Sequence, residues 1–153
     1  MGGTGERLDG TAAAALLAAA REAAGRAYVP YSGFPVGAAV LTADGTVVTG
    51  CNVENASYGL TVCAERVAIF AAVAGGHRAA RAVAVAAPRA RGTTPCGACR
   101  QVLNEFVPEG GELLVVLEGE EGAEQVALSE LLPRSFGPRD LARAEGDGAA
   151  SGR

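Results

Sequence analysis

Residues 95–101 have the sequence Pro-Cys-Gly-Ala-Cys-Arg-Gln, and they open a segment with helical periodicity that extends to Phe106. Pro95 suits the entry to a helix, and residues three apart on a helix lie on the same face. Cys96 and Cys99 can therefore reach one metal ion, and a helix N-terminus favours their thiolate forms. A Cys-x-x-Cys motif also occurs in redox pairs, so this segment alone leaves both interpretations open.

A third cysteine favours metal binding over redox chemistry. Cys63 stands at the start of another predicted helix, which extends to Ala74. Structural zinc sites usually have four protein ligands, whereas catalytic zinc sites have three and leave one position for water. The remaining cysteine, Cys51, ends a predicted strand and is better explained as a small core residue, and the single histidine, His77, as a solvated loop residue. We therefore expect one Zn²⁺ per chain, bound by Cys63, Cys96 and Cys99.

Glu65 is the candidate proton carrier. It lies two residues after Cys63, and two residues on a helix correspond to a rotation of about 200°. Glu65 should therefore approach the metal site from the side without binding the ion, as a general base that takes a proton from water activated at the metal. The alternative is a first-turn glutamate that the helix dipole stabilises.

Two arginines each follow a cysteine directly, Arg66 and Arg100. Zn²⁺ with three thiolates has a net charge of about −1, which weakens its ability to acidify water. A hydrogen bond from a guanidinium to sulfur would offset this charge. For Arg100, a surface position is an equally good interpretation.

The remaining pattern predicts an α/β domain. Apolar periodicity predicts a first helix over 11–26, and Asp44-Gly45 is typical of the tight turn of a hairpin. Later segments alternate between strand and helix patterns, which favours a mixed sheet of about five strands flanked by helices. The predicted strands are Val36–Leu41, Thr46–Asn52, Ala82–Ala87, Glu112–Glu118 and a brief one near Gln125–Ala127, the last followed by a helical turn over Leu128–Leu132.

The chain divides into three predicted parts. Residues 1–10 contain four glycines and no apolar period, so we expect a flexible leader. Residues 11–138 form the single domain. Residues 139–153 are rich in Gly, Ala and charge, and we expect a disordered tail.

Charge and hydropathy exclude two classes of partner. The net charge of −4 comes without a basic stripe, so a polynucleotide is not an expected partner. The apolar stretch over 11–20 is too short to span a bilayer, and it lacks the flanks of a signal peptide. We therefore expect no membrane association and a cytoplasmic protein, whose cysteines serve as ligands or core thiols and not as disulfides.

Four motifs together resemble the small cytidine deaminase family. The motifs are Tyr31-Ser32-Gly33-Phe34-Pro35-Val36-Gly37-Ala38, Gly50-Cys51-Asn52-Val53-Glu54-Asn55-Ala56-Ser57-Tyr58, Cys63-Ala64-Glu65-Arg66 and Pro95 to Gln101. The resemblance covers roughly Leu8 to Pro138. It implies a three-layer fold, a zinc-dependent hydrolytic deamination of cytidine and deoxycytidine, and a homotetramer with shared active sites. The departures are Gly33, where the family often has Asn, and the Ala- and Arg-rich region 71–91; neither is expected to touch the chemistry.

The resemblance also implies roles for individual residues. Asn52 and Glu54 match positions that bind the ribose 3′-hydroxyl, and Phe34 matches the apolar wall beside the base. Ala64 matches a backbone contact to the pyrimidine, and Arg66 matches the arginine on the zinc thiolates. In the three-cysteine branch, Ala56 and Tyr58 match positions near the shared site, and Phe136 matches a ring that stacks on a base in an adjacent subunit.

Two rival functions are kept. The first is a deaminase of the same fold that acts on another aminopyrimidine nucleoside, such as blasticidin S. The second is a non-catalytic module with a structural zinc, which would need a fourth protein ligand. Cys51 is the one credible thiol for that role.

Overall fold

The central layer is a mixed sheet, described in a computed structural model that covers residues 6–149. Its strand order is β2-β1-β3-β4-β5, and β3 and β4 form the parallel pair, while the other neighbours are antiparallel. The strands are β1 Gly37–Thr42, β2 Val47–Cys51, β3 Ala80–Ala86, β4 Leu114–Gly119 and β5 Gly122–Ala127.

Helices cover both faces of the sheet. Asp9 accepts a hydrogen bond from the backbone of Ala12 and so caps the first helix, as a side chain at this position commonly does. A short 3₁₀ turn over Tyr58–Leu60 precedes the second helix. The helices are α1 Gly10–Ala24, α2 Ala64–Ala74, α3 Gly97–Asn104, α4 Leu128–Leu131 and α5 Pro138–Ala149.

Alternate strand residues feed two separate apolar cores. In β3, Ala82 and Ala84 pack with α1 on one face, while Val83 and Val85 pack with α2, α3 and α4 on the other. This alternation follows from the two-residue period of a strand. The prediction of a single-domain, three-layer α/β fold with five strands is confirmed.

Gly50 allows α2 to lie close against β2. A Cβ atom at Gly50 would come within 2.5 Å of the Ala68 nitrogen and 2.9 Å of the Ala64 oxygen, far inside van der Waals contact. A side chain at this position would therefore push α2 away from the sheet. Because α2 begins beside Cys63, the glycine helps to set the depth of the end of the helix that carries this cysteine.

The predicted leader and tail differ from the structure. Leu8 is almost fully buried, and its backbone N–H and C=O both bond the side chain of Gln125, so order begins earlier than predicted. Helix α5 occupies most of the tail, although its described side chains are all exposed. Helix formers such as Ala, Leu and Arg explain the helix, while the lack of an apolar face explains why we predicted none. Residues 1–5 and 150–153 lie outside the described part.

The strand boundaries are otherwise close to those predicted. The main difference is β5, which begins at Gly122 and not near Gln125. Among the residues that the structure describes, no helix is long and apolar enough to cross a membrane.

Candidate active site

Three thiols converge where two helices begin. Cys63 is the N-cap residue of α2, Cys96 is the N-cap residue of α3, and Cys99 lies in the first turn of α3. Their Sγ atoms all lie within 4.8 Å of one another, and the Cys63 and Cys96 sulfurs are 4.0 Å apart. Tetrahedral zinc with Zn–S bonds of about 2.3 Å needs sulfurs about 3.8 Å apart. The thiol set therefore fits a zinc ion.

Arg66 is directed at this cluster. Its Nη2 donates to Cys63 Sγ at 3.3 Å, and its buried Nε has no hydrogen-bond partner among the described residues. Hydrogen bonds from Cys99 and from the Arg66 guanidinium lower the pKa of Cys63 to about 5. Arg66 therefore stabilises a thiolate, as expected for a residue that offsets the charge of a three-thiolate site.

Arg100 is half-buried and bonds oxygen atoms instead of the thiols. Its guanidinium donates to the carbonyl oxygens of Pro95 and Leu131 at 2.7 and 2.8 Å and to the Thr94 hydroxyl at 3.0 Å. It makes no hydrogen bond to a cysteine in the described part of the chain. Arg100 thus joins the entry of α3 to the end of α4.

Glu65 is buried beside the thiols without belonging to their cluster. Its side chain is 4% exposed, and its Oε2 accepts from the Cys99 thiol at 3.8 Å. Burial raises the pKa of this carboxyl above its ordinary value. A buried carboxyl beside a metal site is suited to take up a proton and return it during a reaction.

Cys51 and His77 lie apart from the cluster. The Cys51 thiol faces the Arg26 carbonyl oxygen at 3.4 Å, and it is only partly buried and lies in neither apolar core, unlike the small core residue that we predicted. His77 is not fully solvated, because its Nδ1 lies 3.3 Å from Asp44 Oδ2. Neither residue is part of the three-thiol group found among the described residues.

Asn52 holds the loop that carries Phe34. Its Oδ1 accepts from the Val36 N–H and its Nδ2 donates to the Phe34 carbonyl, both at 2.9 Å. The amide therefore bonds the backbone on both sides of Pro35. One amide hydrogen of Asn52 remains for another acceptor.

Glu54 binds the same loop from its other end. Its Oε1 accepts from the backbone N–H groups of Tyr31 and Ser32 at 3.0 and 3.1 Å. Hydrogen bonding by the Ser32 side chain, together with these two backbone bonds, lowers the pKa of Glu54. Asn52 and Glu54 thus reach the same loop, as the two-residue period of an extended segment predicts.

A short backbone pairing joins the segment of Asn52 and Glu54 to the residue that precedes Cys63. Val53, which separates Asn52 from Glu54, exchanges two backbone hydrogen bonds of 3.0 Å with Val62. Val62 immediately precedes Cys63. Ala64, which follows Cys63, is fully buried, and as the first residue of α2 its N–H lacks an intrahelical partner.

The residues predicted to lie near a shared site are exposed. Ala56 is exposed, and the Tyr58 ring is 74% exposed and packs on Tyr31, with ring centroids 5.6 Å apart. The Phe136 ring is 61% exposed, although the side chains of Gln101 and Asn104 both donate to its carbonyl oxygen. The structure therefore fixes the Phe136 backbone and leaves its ring facing solvent.

Sequence reasoning missed the residues that hold these segments. Asn104 and Arg89 carry no motif, and Gln101 had no assigned role. Their contacts join positions more than 30 residues apart, so no local pattern indicates them.

Three thiols at helix starts beside a buried carboxyl that is not a ligand define a zinc-dependent deaminase. The family model described as "Cytidine and deoxycytidylate deaminase zinc-binding region" matches residues 11–110, which include all three cysteines and Glu65. The chain belongs to this cytidine deaminase family, whose members bind zinc.

Several known cytidine deaminases are similar to this chain. A cytidine deaminase of Sporosarcina psychrophila is 48% identical over 130 residues, 84% of this chain and 94% of the relative. One from Mycobacterium tuberculosis is 49% identical over 126 residues, 81% of this chain and 89% of the relative. The crystal structure of cytidine deaminase from Burkholderia pseudomallei matches with a TM-score of 0.73 at 48% identity, covering 80% of this chain and 97% of that one.

Proposed function

We propose that this protein catalyses the hydrolytic deamination of cytidine and deoxycytidine to uridine and deoxyuridine, with release of ammonia. The observation that carries the proposal is Glu65, buried in contact with Cys99 at the edge of the three-thiol cluster. A structural zinc site has no use for a buried carboxyl at that position. The protein is accordingly an enzyme, with Cys63, Cys96 and Cys99 as the zinc ligands.

The chain's own residues carry the proton transfers. A zinc ion in the thiol cluster supplies the Lewis-acid chemistry that makes water more acidic. Glu65 accepts the proton of the attacking water, whose oxygen adds to C4 of the pyrimidine. The carboxyl passes this proton to N3, then takes the remaining proton of the added hydroxyl as C4=O forms and the C4–N bond breaks, and delivers it to the leaving amine, which departs as ammonia. Arg66 donates a hydrogen bond to the Cys63 sulfur, which offsets part of the thiolate charge and preserves the ability of the zinc ion to acidify water.

The substrate is a free nucleoside. The one amide hydrogen of Asn52 and the one carboxylate oxygen of Glu54 that the loop leaves unused form a donor and an acceptor, which suit a single 3′-hydroxyl. Phe34 supplies an apolar surface for the base, and the Ala64 N–H supplies a donor for the pyrimidine. A 3′-phosphodiester could not donate to Glu54, which argues against a polynucleotide substrate.

Two alternatives carry less support. A blasticidin-type deaminase would share the thiols and Glu65, but it would have no need of a pair suited to a ribose 3′-hydroxyl. A structural zinc site would require a fourth ligand, and the Cys51 thiol faces the Arg26 carbonyl oxygen.

The assembly is a homotetramer whose sites are completed by neighbours. Tyr28, Tyr31, Val53 and Tyr58 form an exposed apolar patch, in which Tyr28 pairs with Val53 and the Tyr31 and Tyr58 rings touch. Exposed apolar patches mark sites of association. Phe136 extends an aromatic ring from a fixed backbone, and Ala56 and Tyr58 lie near the same shared site.

The protein functions in the cytoplasm, because the thiols of all four cysteines are free and that compartment keeps thiols reduced. The catalytic domain comprises residues 11–138.

One assay tests the activity. Purified protein with measured zinc content is incubated with cytidine, deoxycytidine, cytidine 3′-monophosphate and blasticidin S, and ammonia release is followed. We expect turnover of both nucleosides and little turnover of the other two. Blasticidin S as the best substrate would support the first alternative, and zinc-loaded protein without activity on any of the four would support the second.

A further inference from the structure

Arg89 bonds the loop that carries Phe34, the residue of the proposed base wall. Its Nη1 donates to the Gly33 carbonyl oxygen at 2.8 Å, directly before Phe34. Arg89 belongs to the connection between β3 and α3, the segment that leads to the zinc ligand Cys96. The bond therefore joins the loop beside the base to the segment that enters the metal site.

Besides the Ser32 hydroxyl, which accepts from the Phe34 N–H at 3.0 Å, the other side-chain anchors of this loop come from a different part of the chain. Asn52 and Glu54 both follow β2 and bond the two ends of the loop. Gly33 lies between those ends with φ +61°, a left-handed conformation that glycine adopts without the steric cost of a side chain. The Arg89 bond thus restrains the one residue of the loop whose backbone is least restricted by its own side chain.

We propose that Arg89 is a positioning residue, which sets the distance between the Phe34 ring and the metal cluster by fixing the Gly33 carbonyl. The inference rests on the proposed function, because it takes Phe34 as the wall beside the base. Arg89 does not touch the reacting atoms. Its loss leaves Glu65 and the thiols in place and lets the Phe34 loop move, so it weakens substrate binding more than it slows the chemical step.

The chain offers a matched control for this residue. Arg91 is an exposed arginine of the same connection, and its Nη2 donates to a different backbone carbonyl, that of Gly119, at 3.1 Å. Removal of either arginine deletes one positive charge and one hydrogen bond to a backbone oxygen. A difference between Arg89→Ala and Arg91→Ala therefore reports the position of the bond.

The experiment measures kcat and KM for cytidine with the zinc-loaded enzyme. We expect Arg89→Ala to raise KM by about 3- to 10-fold, with kcat within about twofold of wild type, as for loss of one exposed charged hydrogen bond. Arg89→Lys should recover part of the affinity, because an ammonium group can donate to the same carbonyl. Arg91→Ala should leave both constants unchanged. Zinc content and melting temperature are measured for each variant.

A double-mutant cycle with Phe34 separates this inference from the function on which it rests. If Arg89 acts through the Phe34 ring, Arg89→Ala should raise KM much less in a Phe34→Ala background than in wild type. Equal increases in the two backgrounds would overturn the inference, as would an unchanged KM in Arg89→Ala. Failure of Phe34→Ala alone to weaken binding would instead remove the base wall itself from the proposed function.

Discussion

The Arg66 guanidinium donates a hydrogen bond to the Cys63 sulfur across 3.3 Å, from the first turn of the helix that Cys63 caps. Replacement by alanine removes the positive charge that offsets the Cys63 thiolate, so the net negative charge of the zinc site is no longer compensated. We expect Arg66→Ala to lower activity or zinc affinity by about 10- to 100-fold, the usual effect of losing a hydrogen bond to a ligand. Competition with a chelator measures the affinity, and steady-state assays at saturating zinc measure kcat.

Arg100→Ala provides the comparison for Arg66. Arg100 bonds two carbonyl oxygens and a hydroxyl but no sulfur, so its loss should lower the melting temperature and leave zinc affinity near that of wild type. If the two variants lost zinc equally, the assignment of charge compensation to Arg66 would be wrong.

Replacement of Glu65 by glutamine tests the proton carrier. The amide is close in shape to the carboxyl but cannot accept the proton of water. We expect Glu65→Gln to retain one zinc ion and to lose at least about 10²- to 10⁴-fold in kcat, the contribution of a general base. Metal analysis and ammonia release are measured on the same preparation.

Glu130→Gln is the control for Glu65→Gln. Glu130 is also a first-turn glutamate, but it is exposed in α4. The variant therefore shows whether loss of a glutamate that interacts only with a helix dipole affects activity. Its activity should equal that of wild type. Near-normal turnover of Glu65→Gln would rule out the proposed mechanism.

Sequence patterns predicted the metal cluster but not the contacts that support it. Cys96 and Cys99 are brought together by one helical turn, and Cys63 was recognisable because it also begins a helix. For Arg100, the sequence left open a bond to sulfur and a surface position, and the observed bond to the Leu131 carbonyl depends on where α4 ends, 31 residues away. The bond from Arg89 to Gly33 spans 56 residues. Gly33 departs from the family pattern, and Arg89 lies in the Ala- and Arg-rich region that carries no motif. Such contacts follow from the packing of the sheet and leave no local periodicity.

Gly50 should be sensitive to the addition of a single methyl group. The Cβ of alanine would meet the backbone of α2 at 2.5 Å, and backbone cannot rotate away as a side chain can. We expect Gly50→Ala to lower the free energy of unfolding by about 2–3 kcal/mol and the melting temperature by about 5–10 °C. Thermal unfolding measures the shift.

Gly10→Ala is the matched control, because space at the first position of α1 is open. It should be neutral or slightly stabilising. A Gly50→Ala protein as stable as wild type would mean that β2 and α2 are further apart than described.

The Phe136 ring should act in a neighbouring subunit. Stacking of an aromatic ring on a base contributes about 1–3 kcal/mol, so Phe136→Ala should lower kcat/KM by about 5- to 150-fold. The variant should remain an oligomer of unchanged mass, because the exposed patch of Tyr28, Tyr31, Val53 and Tyr58 is intact.

Mixed oligomers distinguish a ring that acts across subunits from one that acts within its own. Phe136→Ala subunits keep Glu65, and Glu65→Gln subunits keep the Phe136 ring. In a co-expressed 1:1 mixture, about a quarter of the sites would combine an intact Glu65 with an intact ring from a neighbour, if one ring completes each site. Activity well above the sum of the separate variants is therefore expected for a shared site. If the ring acts within its own subunit, no site in the mixture has both an intact Glu65 and an intact ring, because every subunit with Glu65 carries alanine at position 136. The mixture would then show only the average activity of the two variants.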